Sequence, residues 1–324
     1  MIYNANHPLR FTPAYRPMPW GGRGLARFLS KALPENVPVG ESWEVSDHPN
    51  HVSTLATASD FGVSLRQLMT SNRRELLGSA SNPDERFPWL IKLLDAQDWL
   101  SVQVHPDDDT AKKLVPNERG KTEAWLVLAA EPTSRIYAGL LPGVGPNELR
   151  AALAAGTVAE CLHSFTPSVG DFVYLPAGTV HAIGGGVVVA EIQQTSDATF
   201  RLFDWNRVDA TGKGRTLHVE QAFASIHWDA GPVQPTNVSS WSSPRRILAS
   251  SPYFDLEWIV ASRELECGGV GALQALIVAE GRGRLANGEY VLPGDAWVLP
   301  AAMPVMRLHV DAPIRGLMAT LPRA

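Results

Sequence analysis

Four segments of this sequence bring imidazole, carboxylate, amide and cationic groups together at spacings that can hold a metal ion and an anion. The first is Leu100-Ser101-Val102-Gln103-Val104-His105-Pro106. Side chains alternate between the two faces of a strand. Ser101, Gln103 and His105 then share one face, Leu100, Val102 and Val104 pack on the other, and Pro106 ends the strand. Such a polar face lines either a barrel interior with a ligand site or an ordinary solvated surface. The second segment is Gly120-Lys121-Thr122-Glu123. Here Glu123 reads as a carboxylate ligand and Lys121 as a phosphate or carbonyl partner, or else the two form an exposed ion pair at a strand start. The third, Ala177-Gly178-Thr179-Val180-His181-Ala182, sets a histidine just inside a strand after a tight turn, where it can aim at a barrel centre.

Gln103, His105, Glu123 and His181 thus supply two imidazoles, one carboxylate and one amide oxygen. That set suits zinc in a catalytic site with a position left for water or substrate. The fourth segment runs from Glu191 through Asp197, Arg201 and Asp204 to Arg207 and interleaves polar groups with aromatics. Alternation puts Glu191 and Gln193 on one face. Arg201 carries a rigid five-donor fork suited to phosphate. The segment also fits an exposed amphipathic hairpin.

Elements of a mainly β protein must position these groups. Short apolar runs lie between scattered Pro and Gly: 89–94, 124–130, 171–175, 186–190, 275–279 and 296–299. Their length suits strands and their punctuation suits turns, the texture of a sandwich or barrel. Helices are expected at 64–77, with Ser64 as N-cap, and at 146–155, with Gly156 just past the end. Gly170-Asp171 followed by Leu175-Pro176-Ala177 returns as Gly294-Asp295 followed by Leu299-Pro300-Ala301, so the β-unit looks duplicated. The second copy has Val305 where the first has His181, so the C-terminal half is expected to lack the metal. The Pro- and Ser-rich stretch 231–244 reads as the link between halves, or an arm crossing between them, which divides the chain into 1–232 and 233–324.

The 324 residues are 45% hydrophobic and 19% charged, with a formal net charge of -5. No basic field attracts nucleic acid or anionic lipid, and no apolar run approaches the roughly 18 residues of a membrane span. An anionic substrate therefore needs a local basic pocket. Two cysteines in unrelated contexts, Cys161 and Cys267, argue against a disulfide framework. The start of the chain lacks a signal-peptide pattern, so a reducing cytoplasm is expected.

In order, Trp20-Gly21-Gly22, Gly40-Glu41-Ser42-Trp43-Glu44, Gln103-Val104-His105-Pro106, Lys121-Thr122-Glu123, Leu175 through Ala182 and Glu191 through Arg207 resemble the type I mannose-6-phosphate isomerase family in its short bacterial form. The resemblance covers residues 15–210. It implies a double cupin fold, two jelly-roll barrels with a few helices, and one zinc held by Gln103, His105, Glu123 and His181. It also implies a sugar-phosphate pocket lined by Ser101, Lys121 and Arg201, with Glu191 and Asp197 nearby.

Aldose–ketose isomerisation needs ring opening and proton transfer between C2 and C1 through a cis-enediol, with a base facing both carbons. Asp197, Glu191 and Lys121 are candidates, and Asp197 is preferred. Arg201 would stabilise negative charge. Glu41 and Glu44 are expected to orient loops around a packed Trp43. Two other readings of the same scaffold are a sugar-phosphate-binding cupin without turnover and a metal-dependent cupin oxygenase.

Overall fold

A computed structural model describes residues 6–56, 62–79, 86–208 and 211–322. Among these, antiparallel pairing builds three large sheets and a short hairpin. The first sheet runs Ala14–Gly22, Val39–Val45, Trp89–Ala96, Val187–Gln194, Glu123–Ala130, Asp171–Leu175 and Thr236–Asn237. Facing it, the second runs Phe200–Phe203, Val102–Val104, His181–Ile183, Ile136–Leu140 and Leu162–Phe165. The third is built from Arg245–Ser250, Asp255–Ala261, Met306–Thr320, Gln274–Arg284 and Tyr290–Val291, with Glu264–Cys267 and Ala296–Leu299 paired onto its long strands. The protein is a double cupin.

The apolar runs are nearly continuous because the central strands of the first sheet, and the adjoining parts of the third, are buried on both faces. In the Glu123 strand, Trp125 and Val127 point inward to meet Ile136, Ala138 and Ile183 of the second sheet. Ala124 and Leu126 point the other way, onto Leu256, Trp258, Ala275, Ile277 and Leu317 of the third sheet. The third sheet in turn fills its own interior with Ile259, Leu276, Val278, Trp297 and Met318. Period-two alternation here separates two apolar environments instead of core from solvent. Helix Pro146–Ala155 and helix Val219–Ser225 cover the outer face of the second sheet through Leu149, Ala152 and Ala222.

Helix Pro146–Ala155 ends at Gly156 in the left-handed conformation, as the sequence predicts. The expected helix over 64–77 is instead two, Leu65–Ser71 and Arg73–Leu77. Ser64 forms the capping box with Gln67, and the break falls at Asn72, whose φ of -132° closes one helix and opens the next. The duplicated turn repeats bond for bond. Gly170 and Gly294 both have positive φ, 86° and 84°. The carboxylate of Asp171 accepts the Ser168 amide at 2.7 Å, and that of Asp295 accepts the Leu292 amide at 2.9 Å. Where His181 enters the first barrel, Val305 lies exposed on the surface of the second. The 231–244 stretch lays Thr236–Asn237 along the edge of the first sheet before the third sheet begins at Arg245.

Both cysteines are free and buried. Burial pushes the Cys267 thiol up to about 11 and raises that of Cys161. The thiolate is the reactive form. The native chain is therefore expected to alkylate with iodoacetamide at pH 7.5 less than about one tenth as fast as the denatured chain. Equal rates in the two states would contradict the packing of both thiols.

Candidate metal centre and active site

The site lies inside the first barrel, where one rim of the first sheet faces the second. His181 opens its strand in direct register with Gln103. On its other side, Gln103 is in register with Arg201. Directly opposed cross-strand residues share a face, so Gln103, His181 and Arg201 project together from the second sheet. Glu123 starts its own strand opposite Gln193. Only Val102–Val104 of the 100–106 segment is laddered. Beyond it His105 is buried, with Nδ1 on the Ala198 carbonyl at 2.7 Å.

His105, Glu123 and His181 converge with their ligand atoms within 4.8 Å of one another. His181 Nδ1 lies 2.9 Å from the Thr179 carbonyl. A carbonyl accepts only, so both rings carry their proton on Nδ1 and turn the Nε2 lone pair toward Glu123, at 3.5 Å for His105 and 3.3 Å for His181. Neither carboxylate oxygen of Glu123 has a hydrogen-bond partner of good geometry, although the residue is buried. Burial and the Lys121 ammonium hold His105 well below the ordinary histidine range. Burial lowers His181 to about 4. Two neutral imidazoles with fixed tautomers and one buried carboxylate without a well-formed hydrogen bond make a donor set that fits a divalent ion. The Gln103 amide lies 3.2 Å from His181 Nε2, within reach of the same centre.

Lys121 is buried and its Nζ contacts Glu123 at 2.9 Å and His105 Nε2 at 3.0 Å. The alternative of an exposed ion pair is thereby removed. Lys121 precedes the strand, and its orientation comes from the Gly120 turn instead of strand alternation. Glu191 is buried on the inner face, with Trp125 Nε1 donating to it at 3.2 Å. Burial and the nearby Glu123 raise its pKa. Ser101 is buried just ahead of its strand. Arg201 is half-buried, with Nη1 donating to the Thr216 carbonyl at 2.8 Å and its buried Nε unpartnered. Asp197 stands apart: it is exposed, and its carboxylate accepts from Asn50 Nδ2 at 2.9 Å.

Sequence reasoning overlooked Lys92, which is buried between Glu41 and Glu191 at 3.7 Å from each. Burial opposes its charge, but the two carboxylates outweigh that and raise its pKa. The signal was one cation inside the otherwise apolar run Trp89–Leu94. Glu41 also accepts from Trp43 Nε1 at 2.6 Å, and its carboxyl is held below the usual range because Lys92 and this bond overcome burial. Glu44 faces elsewhere, bound to Lys31 at 2.8 Å and Ser42 at 2.6 Å. Neither acid touches the His105–Glu123–His181 group. Glu41→Gln is expected to cost about 1–2 kcal/mol of stability by denaturant unfolding with metal content unchanged. Loss of turnover at parental stability and substrate affinity would give Glu41 a chemical role.

The family described as phosphomannose isomerase type I, catalytic domain, matches residues 9–125. The mannose-6-phosphate isomerase of Streptococcus mutans is 37% identical over 289 residues, covering 87% of this chain and 88% of that protein. Mannose-6-phosphate isomerase ManA of Bacillus subtilis is 34% identical over 307 residues, covering 93% and 96%. The crystal structure of the Bacillus subtilis mannose 6-phosphate isomerase superposes with a TM-score of 0.84 at 29% identity, over 97% of this chain and 99% of that one. With a buried His–Glu–His group inside the first of two cupin barrels and relatives of this similarity along nearly their full length, the chain belongs to the type I mannose-6-phosphate isomerase family.

Proposed function

We propose that the chain interconverts mannose 6-phosphate and fructose 6-phosphate through a cis-enediol, with one zinc ion held by Gln103, His105, Glu123 and His181. The observation that carries the reading is the buried His105–Glu123–His181 group with its preset tautomers. A zinc ion held by these residues would supply electrophilic polarisation of the sugar carbonyl. Lys121, fixed between His105 and Glu123, offers a proton donor at the sugar oxygens. Ser101 and Arg201 bind the hydroxyls and the anionic end.

Glu191 suits the proton transfer between C2 and C1 better than Asp197. Its Oε1 is buried and free of hydrogen bonds, and its raised pKa brings it closer to the range where a carboxylate both takes and returns a proton. Asp197 is exposed and engaged by Asn50, which supports a role in holding the turn before Arg201. Lys121 lacks the orphaned acceptor a base requires. Membership of an isomerase family weighs against the binding-only cupin and the oxygenase.

The test is turnover of mannose 6-phosphate in a coupled assay before and after chelation, with Zn²⁺ added back. Activity should vanish on chelation and return with the metal, at one equivalent per chain by elemental analysis. Undiminished turnover in the metal-stripped protein, or two tightly bound equivalents, would overturn the metal assignment.

A further inference from the structure

Gly120, Lys121 and Thr122 lead into the strand that Glu123 opens but are not themselves laddered, so something else must hold them. Three hydrogen bonds fix the amides of this segment, beside the Gln194 amide that donates to the Thr122 carbonyl at 3.2 Å. The Lys121 amide donates to the Pro106 carbonyl at 2.9 Å. The Thr122 amide donates to Gln194 Oε1 at 2.9 Å. The Gly120 amide donates to Asp108 Oδ1 at 2.9 Å. Gly120 lies so close to the helix Asp108–Leu114 that a Cβ there would meet the Asp108 nitrogen at 2.5 Å. The same Asp108 oxygen accepts Gln194 Nε2 at 3.2 Å, so one carboxylate serves two of the three fixing points.

The other oxygen of Asp108 faces the C-terminal half. Tyr253 donates its hydroxyl to Asp108 Oδ2 at 2.8 Å. Tyr253 is itself anchored, because its carbonyl accepts Trp89 Nε1 of the first sheet at 3.0 Å and its amide donates to Ser251 Oγ at 3.2 Å. Burial and the neighbouring Asp108 keep the phenol protonated, so it remains a donor. The Asp108 carboxylate is thus held by two donors on one oxygen and by the phenol on the other, so loss of the phenol removes one of these three restraints on its rotation. The chain of contacts then runs from a turn of the third-sheet half, through Asp108, to the backbone beneath Lys121 and Glu123.

We propose that Tyr253 is a positioning residue for the active site, acting through Asp108 on the Gly120–Thr122 segment that carries Lys121 and leads into Glu123. It touches neither metal nor substrate. The proposal rests on the reading of Glu123 as a metal ligand and Lys121 as a site cation. It gives the C-terminal half a role in the geometry of the site as well as in burying the first sheet.

The test is Tyr253→Phe, which keeps the ring and removes only the donor. Outer partners of ligands typically cost 10- to 100-fold in affinity or activity when removed. Competition with a chromogenic chelator should show zinc held about 10-fold more weakly, and kcat should fall by about the same factor, with KM and thermal midpoint close to those of the parent. Asp108→Asn should weaken zinc in the same sense, and the double variant should be no worse than the poorer single one. Parental zinc affinity in a well-folded Tyr253→Phe would overturn the proposal, as would a loss that merely tracks a lowered midpoint or additive losses in the double variant. The chelator measurement needs no substrate, so an error in the isomerase reading would appear as an inactive parent and leave this result legible.

Discussion

His181→Ala is expected to yield a folded chain that retains no zinc after gel filtration and turns over mannose 6-phosphate more than about 100-fold more slowly than the parent. The bound is set by physical comparison. Loss of an outer partner of a ligand costs up to about 100-fold, and loss of the ligand itself removes more. His181 is held firmly by its surroundings. Its Nε2 lies 3.3 Å from Glu123, its Nδ1 is committed to the Thr179 carbonyl, and its ring packs edge-on against Trp125 with centroids 5.4 Å apart. Alanine would leave Glu123 buried with one imidazole instead of two. His105→Ala should behave alike, and externally added imidazole should restore part of the metal binding in either variant. A His181→Ala protein with full zinc occupancy and the parental rate would sink the metal assignment.

Arg201→Ala is expected to keep its zinc and lose roughly 30- to 1000-fold in kcat/KM, on the order of 2–4 kcal/mol of transition-state stabilisation. The protein carries a net charge of -5, so affinity for a dianion must come from a few local cations. Arg201 emerges beside Gln103 on the inner face, and its buried Nε is without a hydrogen-bond partner. Arg207 and Arg215 both bind Asp204 and raise the positive charge around it. Arg201→Lys should recover only part of the loss, because an ammonium cannot reproduce the planar fork. If Arg201→Ala isomerises mannose 6-phosphate within a factor of about three of the parent, the anion-clamp role is wrong.

The convergence of His105, Glu123 and His181 is legible in the sequence because imidazoles and a carboxylate at the ends of short strands have few other uses, while Gln103 as a fourth ligand belongs to the proposal. The helix at 146–155 was legible because Pro146 and Gly156 mark its ends with backbone constraints. Lys92 is hard to read from the sequence because alternation there does not separate polar from apolar. On a sheet buried on both faces, one cation among Trp89, Leu90, Ile91, Leu93 and Leu94 is instead the mark of the inner face. Asp197 shows the opposite limit: its place in a polar motif says nothing about exposure, and it lies on the surface. The Tyr253–Asp108 contact joins residues far apart in sequence, and neither carries a local pattern that points to the other.

The shared apolar layer between the first and third sheets also bears on the order in which the protein is made. Leu9, near the start, exchanges backbone hydrogen bonds with Val298, near the end. Ile91, Leu93, Leu126 and Ile192 find their cover in Leu256, Ile277, Leu317 and Ala319. On the ribosome, most of the first sheet emerges before the third and waits with that face bare until the strand Met306–Thr320 leaves the exit tunnel. Such non-local closure is slow and exposes apolar surface to other chains. Chaperone demand during synthesis, and the yield lost to aggregation, should therefore be set by the time needed to translate residues 245–320.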